Sequence, residues 1–165
     1  HLSGLGHRRI VALMRETASD DAHARQDQAR ELLRAAQELG VEVLVRQVPE
    51  AALAGAEIVG AGGLIEGCSA VLSNNPAAVV GLACAAQANG LSVPADLSVL
   101  TLGITQGNGR HGEAFSELSV DRGSLGAEAG SLLLRCLRGE PDPAQHRGLM
   151  PAVLTDRGST ARHQE

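Results

Sequence analysis

Residues that could perform chemistry are few in this sequence and stand apart from one another. Cys68, Cys84 and Cys136 are odd in number and surrounded by small apolar residues, a pattern that favours buried free thiols in a reducing compartment over a disulfide or a zinc site. His111 and Glu113 could share a metal ion, but no third ligand has a suitable spacing. The sequence therefore predicts no metal site and no catalytic residue.

A glycine-rich segment at 107–112 fits the pattern G-x-G-x-x-G and follows a strand-like run. Glycines in this pattern let a backbone approach a pyrophosphate when a long helix begins directly after them. Residues 113–121 lack the apolar spacing of such a helix. We therefore interpret the segment as a mobile surface loop and expect no cofactor.

The basic residues are unusual in type, because all fourteen are Arg and the chain has no Lys. The absence of Lys excludes Schiff-base chemistry and a phosphate-loop lysine, and the absence of Tyr excludes chemistry that pairs Tyr with Lys. A formal net charge of −5 argues against direct binding of this stretch to a nucleic acid backbone. The composition thus disfavours an enzyme and a DNA-gripping surface.

The length of 165 residues and the 44% hydrophobic content are typical of one soluble globular unit with a real core. No apolar run approaches the roughly 20 residues that cross a bilayer. The opening residues do not have the pattern of a signal peptide, and they lack an initiator Met. We expect the polypeptide to start upstream, to lie in the cytoplasm and to make no membrane contact.

Short apolar runs alternate along the chain with longer stretches of helical spacing. The runs predict strands at 9–14, 41–45, 70–73 and 97–102, with extended segments at 118–120 and 152–155. The longer stretches predict helices at 20–39, 51–66, 76–89 and 123–137. This alternation predicts an α/β fold, a parallel sheet flanked by helices on both faces, with ligands bound beyond the carboxyl ends of its strands.

Strings in the order and spacing of LacI/GalR regulators cover nearly the whole chain. The segment 1–10 contains "LGHRRI", 70–75 is similar to the family's "AIVCAND", 90–99 is similar to "GLRVPEDVSV", 125–141 resembles "LG..A...LL.L..GEP", and 150–160 resembles "LP..LV.R.ST". The sequence therefore resembles the C-terminal portion of the effector-binding domain of these regulators, a type I periplasmic-binding-protein-like fold.

The resemblance implies two similar lobes with an effector between them, of which this chain holds mainly one. Residues 1–117 would form the C-terminal lobe. Residues 118–150 would form a crossing segment and a helix that belongs to the N-terminal lobe, and residues 151–165 would cross back and form a tail. The DNA-binding headpiece and most of the first lobe are then expected upstream, and the helix at 123–138 is expected to lack its packing partner.

The resemblance also implies effector-binding positions. Asn75 matches the Asn that touches effector in sugar-responsive relatives, and its place before Pro76 also suits a helix cap; the two roles are compatible. The family's clamping Arg corresponds to Gln28 when counted back from Gly40 and to Arg25 when counted forward from the strand. Both positions remain candidates.

Gly103 stands where the family has an Asp that accepts hydrogen bonds from sugar hydroxyls. Phe115 is the single aromatic residue of the chain, so this lobe has no stacking platform for a pyranose. We therefore expect the effector to differ from an ordinary sugar held in the usual way.

The helix predicted at 76–89 is apolar nearly all round, so we expect both of its sides to be covered. In the family, the corresponding helix helps to form the homodimer face of this lobe. A fully buried core helix is the alternative interpretation of the same composition.

Our first functional hypothesis is the effector-binding and dimerisation portion of a transcriptional regulator that contacts operator DNA only through its headpiece. The alternative is a periplasmic-type solute-binding receptor of a transporter. The strings "GHRRI" and "VPADLSV" favour the regulator over this alternative. A small α/β enzyme is a third hypothesis, disfavoured by the missing Lys and Tyr.

Overall fold

A computed structural model describes residues 1–16, 22–59, 65, 67–103, 115–139 and 150–163. The strands are β1 Arg9–Arg15, β2 Glu42–Val48, β3 Ala70–Ser73, β4 Ser98–Leu102, β5 Ser116–Val120 and β6 Ala152–Thr155. The helices are α1 Ala22–Leu39, α2 Ala52–Ala56, α3 Pro76–Ala88 and α4 Arg122–Leu137, and a short 3-10 turn covers Ser3–Leu5.

The strands form one sheet in the order β2-β1-β3-β4-β5-β6. The first five strands are parallel, with Val71 opposite Val99 at the centre, and β6 runs antiparallel to β5 with Leu154 opposite Leu118. Helices α1, α2 and α3 make the connections from β1 to β2, from β2 to β3 and from β3 to β4, as parallel crossovers require. The predicted fold class, an α/β parallel sheet flanked by helices, is confirmed.

The core lies on both faces of the sheet because β1 is buried along five consecutive residues. Side chains alternate between the faces of a strand. Val11 and Leu13 pack with Leu82 of α3, whereas Ile10 packs with Leu72 of β3 and Leu32 of α1. Helices α2 and α3 therefore cover one face, and α1 contributes to the other.

Helices α2 and α3 cross with their backbones in contact. A Cβ atom added to Gly81 would lie 1.7 Å from the Ala52 carbonyl oxygen, and one added to Gly55 would lie 1.8 Å from the Ala78 carbonyl oxygen. These distances leave no room for any side chain. The two glycines therefore permit the closest helix contact of this layer.

Helix α2 is shorter than the helix predicted at 51–66. It ends at Ala56, a turn follows at 57–59, and most of 60–66 lies outside the described residues. Gly55 serves the contact with α3, and the glycines that follow weaken any continuation of the helix. The sequence pattern therefore overestimated the described helix.

Within this single chain, α3 is covered on one side, which contradicts the alternative of a fully buried core helix. Its inner side is buried, at Ala78, Val79, Leu82 and Ala86, whereas Cys84 on the outer side is exposed. The helix forms the outer layer of this face, and small apolar residues on its solvent side mimic a buried pattern. A dimer face, not a fully enclosed core helix, is the interpretation left open.

The prediction of buried thiols is wrong for two of the cysteines. Cys84 and Cys136 are exposed on α3 and α4, and Cys68 is half-buried. Burial raises the pKa of the Cys68 thiol, an effect that the nearby Arg9 opposes. Apolar neighbours in the sequence did not indicate burial because both helices leave one or more faces in solvent.

Helix α4 has no buried residue, although the structure describes the helix in full. Leu125, Leu133, Leu134 and Leu137 are exposed, the last of them by 75%. Asp121 caps the helix by accepting hydrogen bonds from the backbone N–H groups of Gly123 and Ser124. The helix thus has a local cap and, as expected, buries no side chain against the described part of the chain.

Within the described part of the chain, no helix combines the length and the apolar character needed to cross a membrane.

Candidate effector-binding edge

The carboxyl ends of β1, β2, β3 and β4 meet at one edge of the sheet, because these strands are parallel neighbours. The Ser73 hydroxyl at the end of β3 donates to the Leu13 carbonyl oxygen at 2.8 Å and accepts from the Asn75 backbone N–H at 3.0 Å. These bonds join the ends of β1 and β3. The edge is therefore a rigid platform for the polar residues that follow the strands.

Asn75 is fully buried at this edge and all of its side-chain polar groups are bonded. Its Oδ1 accepts from the Ala78 backbone N–H at 3.1 Å, which caps α3. Its Nδ2 donates to the carbonyl oxygens of Val48 at 3.2 Å and of Pro49 at 3.0 Å. Asn75 therefore ties β2, β3 and α3 together, and direct contact with an effector would require these bonds to open.

Asn74 is the polar residue of this turn that reaches the surface of the edge. Its Oδ1 accepts from the Arg15 backbone N–H at 2.7 Å, and its Nδ2 donates to the Gln28 side-chain oxygen at 3.3 Å. The structure thus brings the predicted Gln28 next to Asn74, which sequence reasoning missed. The available signal was the Asn-Asn pair itself, because only one of the two can cap the helix.

Arg15 and Glu50 form an ion pair beside Asn74, with an Nη1–Oε2 distance of 3.2 Å. Both side chains are nearly half exposed, so the ion pair contributes little to the free energy of unfolding. The same exposure leaves the two charged groups accessible to a bound molecule. We call Arg15, Gln28, Glu50 and Asn74 the edge cluster. It offers an amide pair and one charge of each sign.

Two further predicted positions differ in what they offer. Arg25 lies on α1, in a part of the helix whose side chains are outside the description. Gly103 has φ +59, its N–H donates to the Leu118 carbonyl oxygen at 2.9 Å, and open space surrounds its missing Cβ. The left-handed backbone explains a glycine at this point. Only backbone groups are available there.

The glycine-rich segment 107–112 and the pair His111 and Glu113 lie outside the described residues. Among the residues that are described, no three His, Cys, Asp or Glu side chains are grouped so that they could hold a metal ion.

The mostly parallel six-stranded sheet with its flanking helices is a fold of the periplasmic-binding-protein-like class. The sequence matches the family described as periplasmic binding protein-like domain over residues 1–160. The chain therefore belongs to this family. A sequence comparison with curated proteins gives no match.

Solved structures of LacI-family regulators share this fold. A LacI-family regulatory protein from Corynebacterium glutamicum is 26% identical with a TM-score of 0.69, and the match covers 99% of this chain and 62% of that protein. The dimeric Lac repressor with an 11-residue C-terminal deletion is 25% identical with a TM-score of 0.73, covering 99% and 59%. A LacI-family transcriptional regulator from Bifidobacterium animalis subsp. lactis is 23% identical with a TM-score of 0.77, again covering 99% and 59%.

The chain therefore spans about three fifths of the length of these regulators. The resemblance of the sequence to the effector-binding portion of LacI-type regulators is confirmed.

Proposed function

We propose that this chain is the effector-binding and dimerisation portion of a LacI-type transcriptional regulator. A small molecule bound at the edge cluster would control DNA binding by a headpiece that lies elsewhere in the polypeptide, in the cytoplasm. The observation that carries the proposal is the match of nearly the whole chain to part of LacI-family regulators, up to 26% identical. Effector binding would act by favouring one of two arrangements of the lobes.

The proposal assigns residues 1–117 to the C-terminal lobe. Residues 118–150 cross to the N-terminal lobe and supply it with α4, and residues 151–165 return. The uncovered α4 supports this assignment, because four exposed leucines on one helix need an apolar partner. β6 runs antiparallel at the edge of the sheet, and its Val153 is 57% exposed. Both observations support a segment that returns from the N-terminal lobe and whose outer side this chain leaves uncovered.

At the effector site, the proposal gives direct contacts to Asn74 and Gln28, and it keeps Arg25 and the backbone of Gly103 as further candidate contacts. Asn75 does not contact the effector in this proposal; its hydrogen bonds fix the turn that carries Asn74. Exposed amide groups donate and accept, so they suit a polar, hydrogen-bonding effector. The missing carboxylate at Gly103 and the scarcity of aromatic residues argue against a sugar held in the usual way.

For self-association, the proposal places a homodimer contact on the outer side of α2 and α3. Leu53 on α2 is 69% exposed, and Val80 and Cys84 lie on the outer side of α3. The Lac repressor whose fold this chain shares was solved as a dimer. In sedimentation of this chain, Val80→Arg should weaken association, whereas the control Leu39→Arg on α1 should not.

The reading frame upstream gives the first test of regulation. A helix-turn-helix there is the expected result, and it should make the full-length polypeptide retain promoter DNA in a gel-shift assay. An apolar export segment in its place would overturn the proposal and favour a transporter receptor.

The site is tested by thermal-shift screening of the full-length polypeptide against a panel of small polar metabolites. A metabolite that stabilises the protein should lose most of this effect in Asn74→Ala, because that variant removes two edge contacts. Asn89→Ala is the matched control, since Asn89 lies at the far end of α3. Equal shifts in both variants would contradict the site.

A further inference from the structure

Residues 156–163, which we call the tail, bind along the amino-terminal ends of β4 and β5. The Val99 N–H donates to the Ser159 carbonyl oxygen at 2.7 Å, and the Ser116 N–H donates to the Ser159 hydroxyl. The Ser159 hydroxyl also donates to the Val99 carbonyl oxygen at 2.6 Å. Ser159 is buried, so it anchors the tail between the two strands with groups that do not titrate.

The last part of the tail is held from two sides. The Ala161 N–H donates to the hydroxyl of Ser98 on β4 at 3.0 Å, and the Thr160 hydroxyl lies 3.1 Å from His1 Nε2. The segment that leads into β1 holds the Ala161 carbonyl oxygen. The imidazole of His7 is buried, with Nε2 3.1 Å from the Ala161 carbonyl oxygen and Nδ1 2.8 Å from the Ser69 hydroxyl. A carbonyl only accepts, so Nε2 carries the proton, and Nδ1 then accepts from Ser69. The neutral ring therefore satisfies both contacts.

The His163 ring stacks on His7, with ring centroids 5.6 Å apart and planes inclined by 25°. The His163 N–H also donates to the Leu5 carbonyl oxygen at 2.9 Å. When His7 gains a proton, its charge is buried and lies against a second basic ring. Protonation of His7 is therefore unfavourable while the tail is bound.

The groups around His7 give little compensation for such a charge. The tail contributes His163, which follows Arg162 in the chain. The segment that leads into β1 carries Arg8 and Arg9. The loop before β3 contributes the Ser69 hydroxyl and, one residue earlier, the Cys68 thiol. Arg9 is paired with Glu42, 3.0 Å away. Among the described residues, the charge that acts on His7 is that of His163.

We propose that His7 and His163 form a pH-responsive latch. It holds residues 160–163 against the amino-terminal edge of the sheet at neutral pH and releases them on acidification. Ser159 stays anchored when the latch opens. The latch thus divides the tail into a fixed part that follows β6 and a switchable end. It does not depend on the effector or on the regulatory role proposed above.

The direction of the switch follows from the pKa of His7. Burial lowers this pKa from the ordinary 6.5, the hydrogen bond to Ala161 opposes the shift, and repulsion from His163 adds to it. The released form therefore binds protons more readily than the latched form. Latching is complete above the ordinary pKa and weakens as the pH falls towards the lowered one.

Amide exchange measured by NMR on this chain tests the latch. Between about pH 7.5 and about pH 5.5, after correction for intrinsic rates, the Ala161 and His163 amides should become less protected, by up to about tenfold for each unit of pKa shift. The Val99 and Ser116 amides, which bind Ser159, should keep their protection. Unchanged Ala161 protection, or an equal loss at Val99 and Ser116, would overturn the proposal.

His7→Gln is the decisive variant, because an amide can still donate to Ala161 but does not titrate. Its Ala161 protection should lose most of its pH dependence over this range, and a dependence as large as that of the unaltered chain would contradict the latch. Titration of the His7 ring in the unaltered chain is a check that needs no variant. A midpoint at or above 6.5 would also overturn the proposal.

Discussion

Helices α3 and α4 have similar lengths and both contain many small and apolar residues, but their surroundings differ. α3 packs on the sheet through Ala78, Val79 and Leu82 and crosses α2 in backbone contact, whereas α4 buries no residue. The comparison separates two sources of helix stability. α3 is held by tertiary packing, and α4 depends on its cap and its intrinsic propensity.

The difference also identifies which layer of the fold is complete. The face under α2 and α3 has its covering helices, and its exposed residues are small or isolated. α4 presents Leu125, Leu133, Leu134 and Leu137 to solvent. A run of exposed leucines of this kind marks a docking surface. In the proposed regulator, that surface belongs against the N-terminal lobe.

The largest effect expected from this comparison is at the helix crossing. Gly81→Val should lower the free energy of unfolding by about 3 kcal/mol or more, because its side chain would overlap the Ala52 backbone. Urea unfolding measures the loss. Gly126→Ala on α4 is the control, since nothing lies within 4 Å of its Cβ position, and it should leave unfolding unchanged or raise helicity. Equal losses would contradict the difference between the helices.

A leucine truncation on each helix gives the next effect. Leu82→Ala should cost about 3 kcal/mol, because Leu82 is fully buried in the core under α3. Leu133→Ala, at a residue 59% exposed, should cost about 0.5 kcal/mol or less in this chain. Thermal or urea unfolding of the two variants under the same conditions measures the difference between these losses. A large loss from Leu133→Ala would show that α4 is packed.

The cap of α4 gives a smaller and local effect. The pKa of Asp121 is lowered because its carboxylate accepts hydrogen bonds from the hydroxyl and N–H of Ser124 and from the Gly123 N–H. The cap is therefore present above the ordinary pKa of 3.8 and is lost as the pH falls through the lowered value. Asp121→Ala should raise amide exchange in the first turn of α4 at neutral pH. Unchanged exchange would contradict a cap-dependent helix.

The smallest effect is expected for the ion pairs on α1. Arg34 pairs with Glu31 at 2.9 Å and with Glu38 at 3.3 Å, but these side chains are about two-thirds exposed. Arg34→Ala should therefore change the free energy of unfolding by no more than about 0.5 kcal/mol. A loss comparable with that of Leu82→Ala would contradict the small contribution expected of these exposed ion pairs.

Much of the fold was predictable because its strands are short apolar runs with clear boundaries. The start of α3 was also predictable, since Asn75 and Pro76 suit a cap and a first helical position. The sequence did not show that Asn75 would be enclosed and that Asn74 would face outward. That outcome depends on the carbonyl groups at the end of β2, which the Asn75 amide reaches only in the folded chain.

Exposure was harder to predict than secondary structure. The outer side of α3 is as apolar as its inner side, so periodicity could not tell Cys84 from a core residue. The place of the tail was not predictable either, because the partners of Ser159 and Ala161, which are Val99 and His7, lie far from them in the sequence. The local sequence pattern thus predicts helices and strands, whereas contacts between distant residues determine which side chains are buried and which are exposed.

Amide exchange of α4, compared between this chain and the full-length polypeptide, tests the account most directly. If residues 118–150 belong to a second lobe, protection along α4 should rise strongly in the longer protein, while the β1–β3 amides stay the same. Equal exchange of α4 in both proteins would contradict the assignment of this chain as the C-terminal part of a two-lobed regulator.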